Sequence, residues 1–231
     1  MHRLQQSLPV IFVRSLLFFV LAGVSIVPFL AAWLLIRGSL PAVRRLADRY
    51  LAVLRWLLRM VCGIDYRLEG LEHMPKGPVL IASQHESTWE TLFFHTVFDH
   101  PVMFAKKPIF SYPVFGPLAR AFGHIPVEPG GEAMRAGFRA GVAAIKDGRR
   151  LVIFPSGTRR MEHSELQAGV GVLYQLANVP AVPVRLTSGA VWPRGTWLKY
   201  PGVIEVQIGS PIEAGLDRRD FMQILSAYLA D

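Results

Sequence analysis

Cysteine is almost missing from this chain. Cys62 stands alone, so no internal disulfide framework and no cysteine-based metal site can form, and a reducing compartment fits that usage. Its apolar surroundings read as packing rather than as the setting of a nucleophile. Metal-ligand spacing is missing too: His73, His85, His95, His100 and His124 are scattered, and a helix carrying His95 and His100 would not bring them together. No internal repeat and no low-complexity linker interrupts the 231 residues, which favours one sizeable catalytic core. Acidic residues are in short supply, 17 against 25 Lys and Arg, and the net charge of +8 with a pI near 10.1 draws the chain to anionic partners. Nucleic acid is set aside as that partner, since no nucleic-acid motif appears and the arginines gather beside an uncharged apolar stretch.

That stretch, Ser15–Ile36, lacks any ionisable residue, and as a helix its roughly 22 residues would cover about 33 Å, enough to cross a bilayer's hydrocarbon core. A cleaved signal peptide is the rival, but the run is longer than the usual ~7–15 residue apolar region and ends on Arg37 instead of a small-residue cleavage site. Pro28 permits a kink or a hairpin that dips into one leaflet, so spanning and re-entry both stay open. From Pro41 to Gly63, Arg44, Arg45, Arg49, Arg55 and Arg59 interleave with Leu and aromatic residues at close to helical period. This is either a helix lying on an anionic membrane surface or a soluble helix packed on the domain with a solvated arginine face. By the positive-inside rule the arginines put the following domain in the cytoplasm.

Beyond Gly63 short β-branched apolar runs take over at Pro78–Ser83, Pro101–Ala105, Leu151–Phe154, Ala181–Leu186 and Val203–Ile208. Helix-length segments lie between and after them: Thr88–Phe98, Val114–Phe122, Glu132–Lys146, Gly169–Ala177 and Arg218–Ala230. The alternation predicts an α/β domain with helices packed on a sheet over 63–231, with membrane-anchoring helices over 1–62.

Two places can carry chemistry. Ser83-Gln84-His85-Glu86-Ser87-Thr88-Trp89-Glu90 follows an apolar strand and precedes an apolar helix, where a sheet holds the backbone and a loop presents side chains. His85 can accept a proton near neutral pH, and Glu90 can fix its tautomer. Five residues on an ideal helix diverge by about 140°, so the pair converges only if His85 sits in the turn before the helix, which Ser87 or Thr88 can cap. The second place runs from Leu151 through Phe154-Pro155-Ser156-Gly157-Thr158-Arg159-Arg160, an apolar strand entering a tight turn with two arginines. Such a turn either aims N–H groups and a guanidinium at an anion or is an ordinary turn with solvated arginines.

Together these motifs resemble the glycerolipid acyltransferase family, and within it the bacterial 1-acylglycerol-3-phosphate acyltransferases. The family's His, four intervening residues and an acid appear as HESTWE, with Glu90 where Asp is commoner, and its Phe-Pro-Glu-Gly-Thr-Arg appears as FPSGTR. The likeness extends through Lys106-Lys107, Gly123–Val127, Val182-Pro-Val184, Ser188-Gly189, Trp192-Pro-Arg194 and Gly209-Ser-Pro-Ile212. The resemblance implies a central mixed sheet flanked by helices, and acyl transfer from acyl-CoA or acyl carrier protein to the sn-2 hydroxyl of a lysophospholipid within membrane phospholipid, with no metal and no cofactor. It makes His85 the general base, Glu90 its orienting acid, and Arg159 with Arg160, Lys106 and Lys107 the holders of the acceptor phosphate, in a turn formed by Ser156, Gly157 and Thr158. Ser156 replaces the usual Glu, and Pro129 stands where the family carries Arg; both positions are associated there with the acceptor. Those departures leave open a different acceptor, such as a lyso-ornithine lipid, and an inactive lipid-binding protein.

The apolar run carries a direct expectation. The protein should stay with sedimented membranes through a high-salt wash, because burial of apolar surface is not screened by ions; release of the intact chain by salt alone would contradict a membrane-embedded segment.

Overall fold

The computed structural model describes residues 7–36, 38–113, 115–128, 130–157 and 166–230, and the chain divides into two compact units. The smaller comprises Met1–Arg67, Glu86–Thr96 and Thr187–Glu205, the larger Leu68–His85, Val97–Leu186 and Val206–Asp231. The smaller unit thus joins the N-terminal helices to short segments from far along the chain.

In the smaller unit the uncharged run lies within α1 (Leu8–Ile36), which starts seven residues earlier than the charge-free stretch and passes without a break through Arg14 and Pro28. A helix tolerates one long basic side chain at its flank, so the charge boundary does not mark its start. Ile11, Ser15 and Phe18, spaced four and three apart, are buried on one face, whereas Leu8, Phe12, Val13, Leu16 and Val20 are exposed. The helix is long and apolar enough to cross a membrane. Ser39, extended, precedes α2 (Leu40–Leu57), with Pro41 in the first turn where a missing N–H costs nothing. The amphipathic segment ends in a π-helical turn, Leu58–Cys62, closed by Gly63 at φ +70. α2 runs back along α1: Tyr50 donates to the Ala22 carbonyl at 3.1 Å and packs on Phe29, and the Cys62 thiol lies 3.8 Å from the Arg14 carbonyl. Burial pushes that thiol up to about 11, so it stays protonated, as its apolar setting implied.

Ser15 ties α1 to a late loop. Its hydroxyl donates to the Ile11 carbonyl at 2.7 Å and accepts from the Lys199 amide at 2.8 Å. The Lys199 side chain is buried, donating to the carbonyls of Trp197 and Leu198, with its ammonium 4.5 Å from the Trp192 ring centroid and 4.9 Å from that of Phe19. β1 (Ile64–Glu69) lies beside β7 (Gly202–Ile208), with Gly202 N–H donating to Gly63 at 3.0 Å.

In the larger unit β2 (Leu80–Ser83), buried at all four positions, is flanked by β5 (Leu151–Ile153) and β6 (Ala181–Leu186), both parallel to it. β3 (Val102–Lys106) pairs parallel with β5 and with β4 (Ile125–Val127), while β6 pairs antiparallel with the end of β7, giving the order β7-β6-β2-β5-β3-β4. The sheet is mixed, as the family resemblance implied. α5 (Gly131–Lys146), α6 (Ala168–Ala177) and α8 (Arg218–Ala230) bury Phe138, Ile145, Leu173 and Leu225 against it, and Tyr174 stacks on Phe221 at 3.9 Å.

β3 is also braced by a histidine. His124 Nδ1 accepts the Met103 N–H at 3.2 Å, and Arg149 donates to the carbonyls of His100 and Phe122, both at 3.1 Å. Burial, and then the Arg149 charge, push His124 down from its ordinary 6.5 to about 4. The unfolded chain therefore takes this proton more readily than the folded one, and stability should fall as pH drops from 6.5 towards 4. Urea unfolding across that window should show the slope, and His124→Asn, which keeps an acceptor but cannot titrate, should flatten it.

Candidate active site

β2, β3 and β5 are parallel, so the loops leading out of them emerge at one edge of the sheet. There the first sequence motif meets the second. Gln84 continues β2: its N–H donates to Val184 at 3.0 Å, its side-chain oxygen accepts from Leu186 at 3.0 Å, and its amide nitrogen donates to Leu229 in α8 at 2.8 Å. The backbone entering His85 is thus pinned to β6 and to the last helix. The His85 ring stacks on Phe154, with centroids 4.1 Å apart and planes 19° from parallel. Phe154 opens the turn after β5, in which Gly157 donates back to Phe154 at 2.9 Å with φ at +63, and Gln167 N–H donates to Pro155 at 2.9 Å. Ser156 lies in that turn, and its carbonyl is 3.5 Å from the Gln167 amide nitrogen. Lys106 ends β3 at the same edge; Lys107 begins a 3-10 turn, Lys107–Ser111, and forms an exposed ion pair with Glu128 at 3.0 Å. Beside Lys107 opens a groove of about 310 Å³ walled by Ile125, Pro126 and the Ala133, Ala136, Gly137 and Ala140 face of α5. Thr158, Arg159, Arg160 and Pro129 lie outside the described residues.

Glu90 is in the smaller unit, in the first turn of α3 (Trp89–Val97), and has no exposed surface. One carboxylate oxygen accepts the N–H groups of Glu86 at 2.6 Å and Ser87 at 2.8 Å; the other accepts the hydroxyls of Ser87 at 3.0 Å and Ser188 at 2.9 Å. Ser87 Oγ in turn accepts the Trp89 N–H at 2.8 Å. This reciprocal arrangement is close to a capping box, Ser87-x-x-Glu90, with the Ser87 hydroxyl capping the Trp89 N–H. The Glu86 N–H belongs to the peptide bond that leaves His85, so Glu90 fixes the backbone on the far side of the histidine from Gln84. Glu86 is half-buried; burial, then the Glu90 charge, push its carboxyl up against the opposing effect of a hydrogen bond from Gly189. Sequence reasoning passes over Gln84, Ser87 as a ligand of Glu90, and Ser188. The S-x-x-E spacing is the visible signal for the second; the other two bond to groups distant in the chain.

A family model described as Acyltransferase matches residues 65–187, just over half of the chain, which belongs to this family. Over 163 residues the chain is 34% identical to a 1-acyl-sn-glycerol-3-phosphate acyltransferase of Pseudomonas aeruginosa, covering 69% of this chain and 63% of that one. It thus spans a little under two thirds of that relative's length. A lyso-ornithine lipid O-acyltransferase of the same organism is 26% identical over 211 residues, covering 83% of this chain and 81% of that one. Among solved structures, the 1-acyl-sn-glycerophosphate acyltransferase PlsC of Thermotoga maritima superposes with a TM-score of 0.76 at 16% identity, over 95% of this chain and 94% of that one. The fold is therefore that of an acyltransferase.

The pinning by Gln84 is open to measurement. Gln84→Met keeps the shape and removes both side-chain hydrogen bonds, which should cost about 1–3 kcal/mol in equilibrium unfolding; an unchanged midpoint would mean that the two bonds add nothing.

Proposed function

We propose that this chain transfers a fatty acyl group from acyl-CoA or acyl carrier protein to the sn-2 hydroxyl of 1-acylglycerol-3-phosphate, giving phosphatidic acid for phospholipid synthesis. Membership of the acyltransferase family and the named Pseudomonas relative support the reading. The observation that carries it is the stacking of His85 on Phe154, which seats the two motifs against each other at one sheet edge.

His85 takes the proton of the acceptor hydroxyl as its oxygen attacks the thioester carbonyl. The carbon–sulfur bond then breaks, and the departing thiolate takes the proton from the imidazolium. The thioester is already activated, so the reaction uses no acyl-enzyme, metal or cofactor. Glu90 orients His85 through its hold on the turn that follows it. Arg159, with Arg160, Lys106 and Lys107, holds the acceptor phosphate in the Ser156-Gly157-Thr158 turn, Arg159 by the paired hydrogen bonds a guanidinium can make.

The reaction is placed at the cytoplasmic face of the bacterial inner membrane. Because α2 lies antiparallel on α1, an upright α1 would hold the exposed Arg45, Arg49 and Arg55 at the depth of its apolar middle. A charge there costs at least about 2.5–3.5 kcal/mol. A hairpin slanting into one leaflet, with α1's apolar face down and the arginines among headgroups, avoids that cost.

A second acceptor has an observation of its own. The lyso-ornithine lipid relative aligns over more of both chains, and Ser156 supplies no charge where the family has Glu. Purified protein with a labelled acyl thioester and a panel of lysolipids decides between them. With lysophosphatidate, Arg159→Ala should raise KM about tenfold or more, the worth of a charge-assisted hydrogen bond; unchanged KM beside faster turnover of the ornithine lipid hands the assignment to the latter. His85→Ala should lower kcat by about 10²–10⁴-fold without releasing the protein from membranes, and Glu90→Gln by less. Near wild-type kcat in folded His85→Ala protein would sink the general-base assignment.

A further inference from the structure

Two residues outside both sequence motifs, Ser188 and Gly189, grip the turn that presents His85. They open α7 (Ser188–Val191), directly after β6. Ser188 is fully buried and donates its hydroxyl to Glu90 at 2.9 Å, while Gly189 N–H donates to the Glu86 carboxylate at 2.8 Å. An ordinary capping box closes with groups of its own turn and needs no donor from 98 residues away. Here the Glu90 oxygen facing away from the turn's backbone is shared by two hydroxyls, one local and one from α7, which fixes the carboxylate's rotation as well as its position.

The Glu86 contact is made to measure. A Cβ on residue 189 would lie 3.1 Å from both the Glu86 Cβ and its Oε2, so any side chain there displaces the carboxylate. Glu86 and Glu90 are carboxyl groups in one poorly solvated turn, and burial, then the Glu90 charge, push the Glu86 carboxyl up against the hydrogen bond from Gly189. Such an arrangement persists only where nearby donors offset it. α7 provides two neutral donors and, with the sequence Ser-Gly-Ala-Val, no ionisable side chain. It is itself held: Trp192 N–H donates to the Ser188 carbonyl at 2.8 Å, and Thr187 exchanges hydrogen bonds with Glu205 at 3.1 and 3.0 Å.

We propose that Ser188 and Gly189 are positioning residues for acyl transfer, a clamp that locks the Glu90 and Glu86 carboxylates and thereby the backbone on which His85 is mounted. The proposal rests on His85 acting as general base. Ser188 is fully buried and the Gly189 N–H is taken by Glu86, so the clamp acts on the rate of the chemical step and leaves binding alone.

The test uses the full chain in detergent or lipid, with kcat and KM for acyl donor and lysolipid and a thermal unfolding curve for each variant. Ser188→Ala should lower kcat about tenfold or more, as expected when a reacting group is displaced by a fraction of an ångström, with both KM values within about twofold. Ser188→Thr, which restores the hydroxyl, should recover most of that loss. Glu86→Gln keeps a carbonyl oxygen for the Gly189 N–H and should stay near wild type, whereas Glu86→Ala should fall with Ser188→Ala. Wild-type kcat in folded Ser188→Ala overturns the proposal, as does a Ser188→Thr variant no better than Ser188→Ala, or a loss carried mainly by KM. His85→Ala run in parallel separates the two readings: if it is inactive while Ser188→Ala is unimpaired, only the clamp fails, and if it is active, the general-base assignment itself fails.

Discussion

A carboxylate taken out of water must recover its hydration from protein donors or lose its charge, and Glu90 has no surface at all. The turn between β2 and α3 is organised by that demand. Two N–H groups and two hydroxyls converge on its oxygens, and in doing so they start a helix, set the direction of the peptide after His85 and draw in the chain beyond β6. Because the acid is satisfied by several partners at once, it both caps α3 and ties the turn to the chain beyond β6.

On the other side of His85 the constraint is the sheet. β2 is central, every residue of it is buried, and Gln84 extends its ladder by one more hydrogen bond before the chain turns away. Parallel strands deliver their successors to a common edge, which is why a histidine after β2 and a phenylalanine after β5, about seventy residues apart, stack face to face. The imidazole is thereby held by its flanking peptides and by its ring, with neither depending on the loop's own rigidity.

The parts of the fold legible in the chain are those set by local physics. The β-branched runs became β2, β3, β5, β6 and β7, and α8 falls on Arg218–Ala230 as its periodicity required. β1 escapes notice because Ile64-Asp-Tyr-Arg-Leu-Glu alternates apolar with charged residues, a strand pattern that an eye trained on continuous apolar runs misses. β4 has three residues with Pro126 in the middle, which argues against a strand unless it lies at an edge, as it does. His85 and Glu90 were legible because their spacing and neighbours are contiguous. Gln84 and Ser188 were not: each earns its role from a partner about a hundred or more positions away, and nothing in the local composition of SQH or TSG reports it.

The bond between Ser15 and Lys199 has a consequence for how this protein can be handled by evolution or by the engineer. Phe12 packs edge-on against Trp197 and Phe18 against Trp192, while the Lys199 ammonium rests between aromatic faces drawn from α1 and from the late loop. The first helix is thus a keel and not a leash. Stripping it off would open two indoles, a buried ammonium pushed down to about 8 and an orphaned amide to solvent in one stroke. Loss of α1 after a proteolytic nick near Ile36 would therefore leave that aromatic seam unsealed.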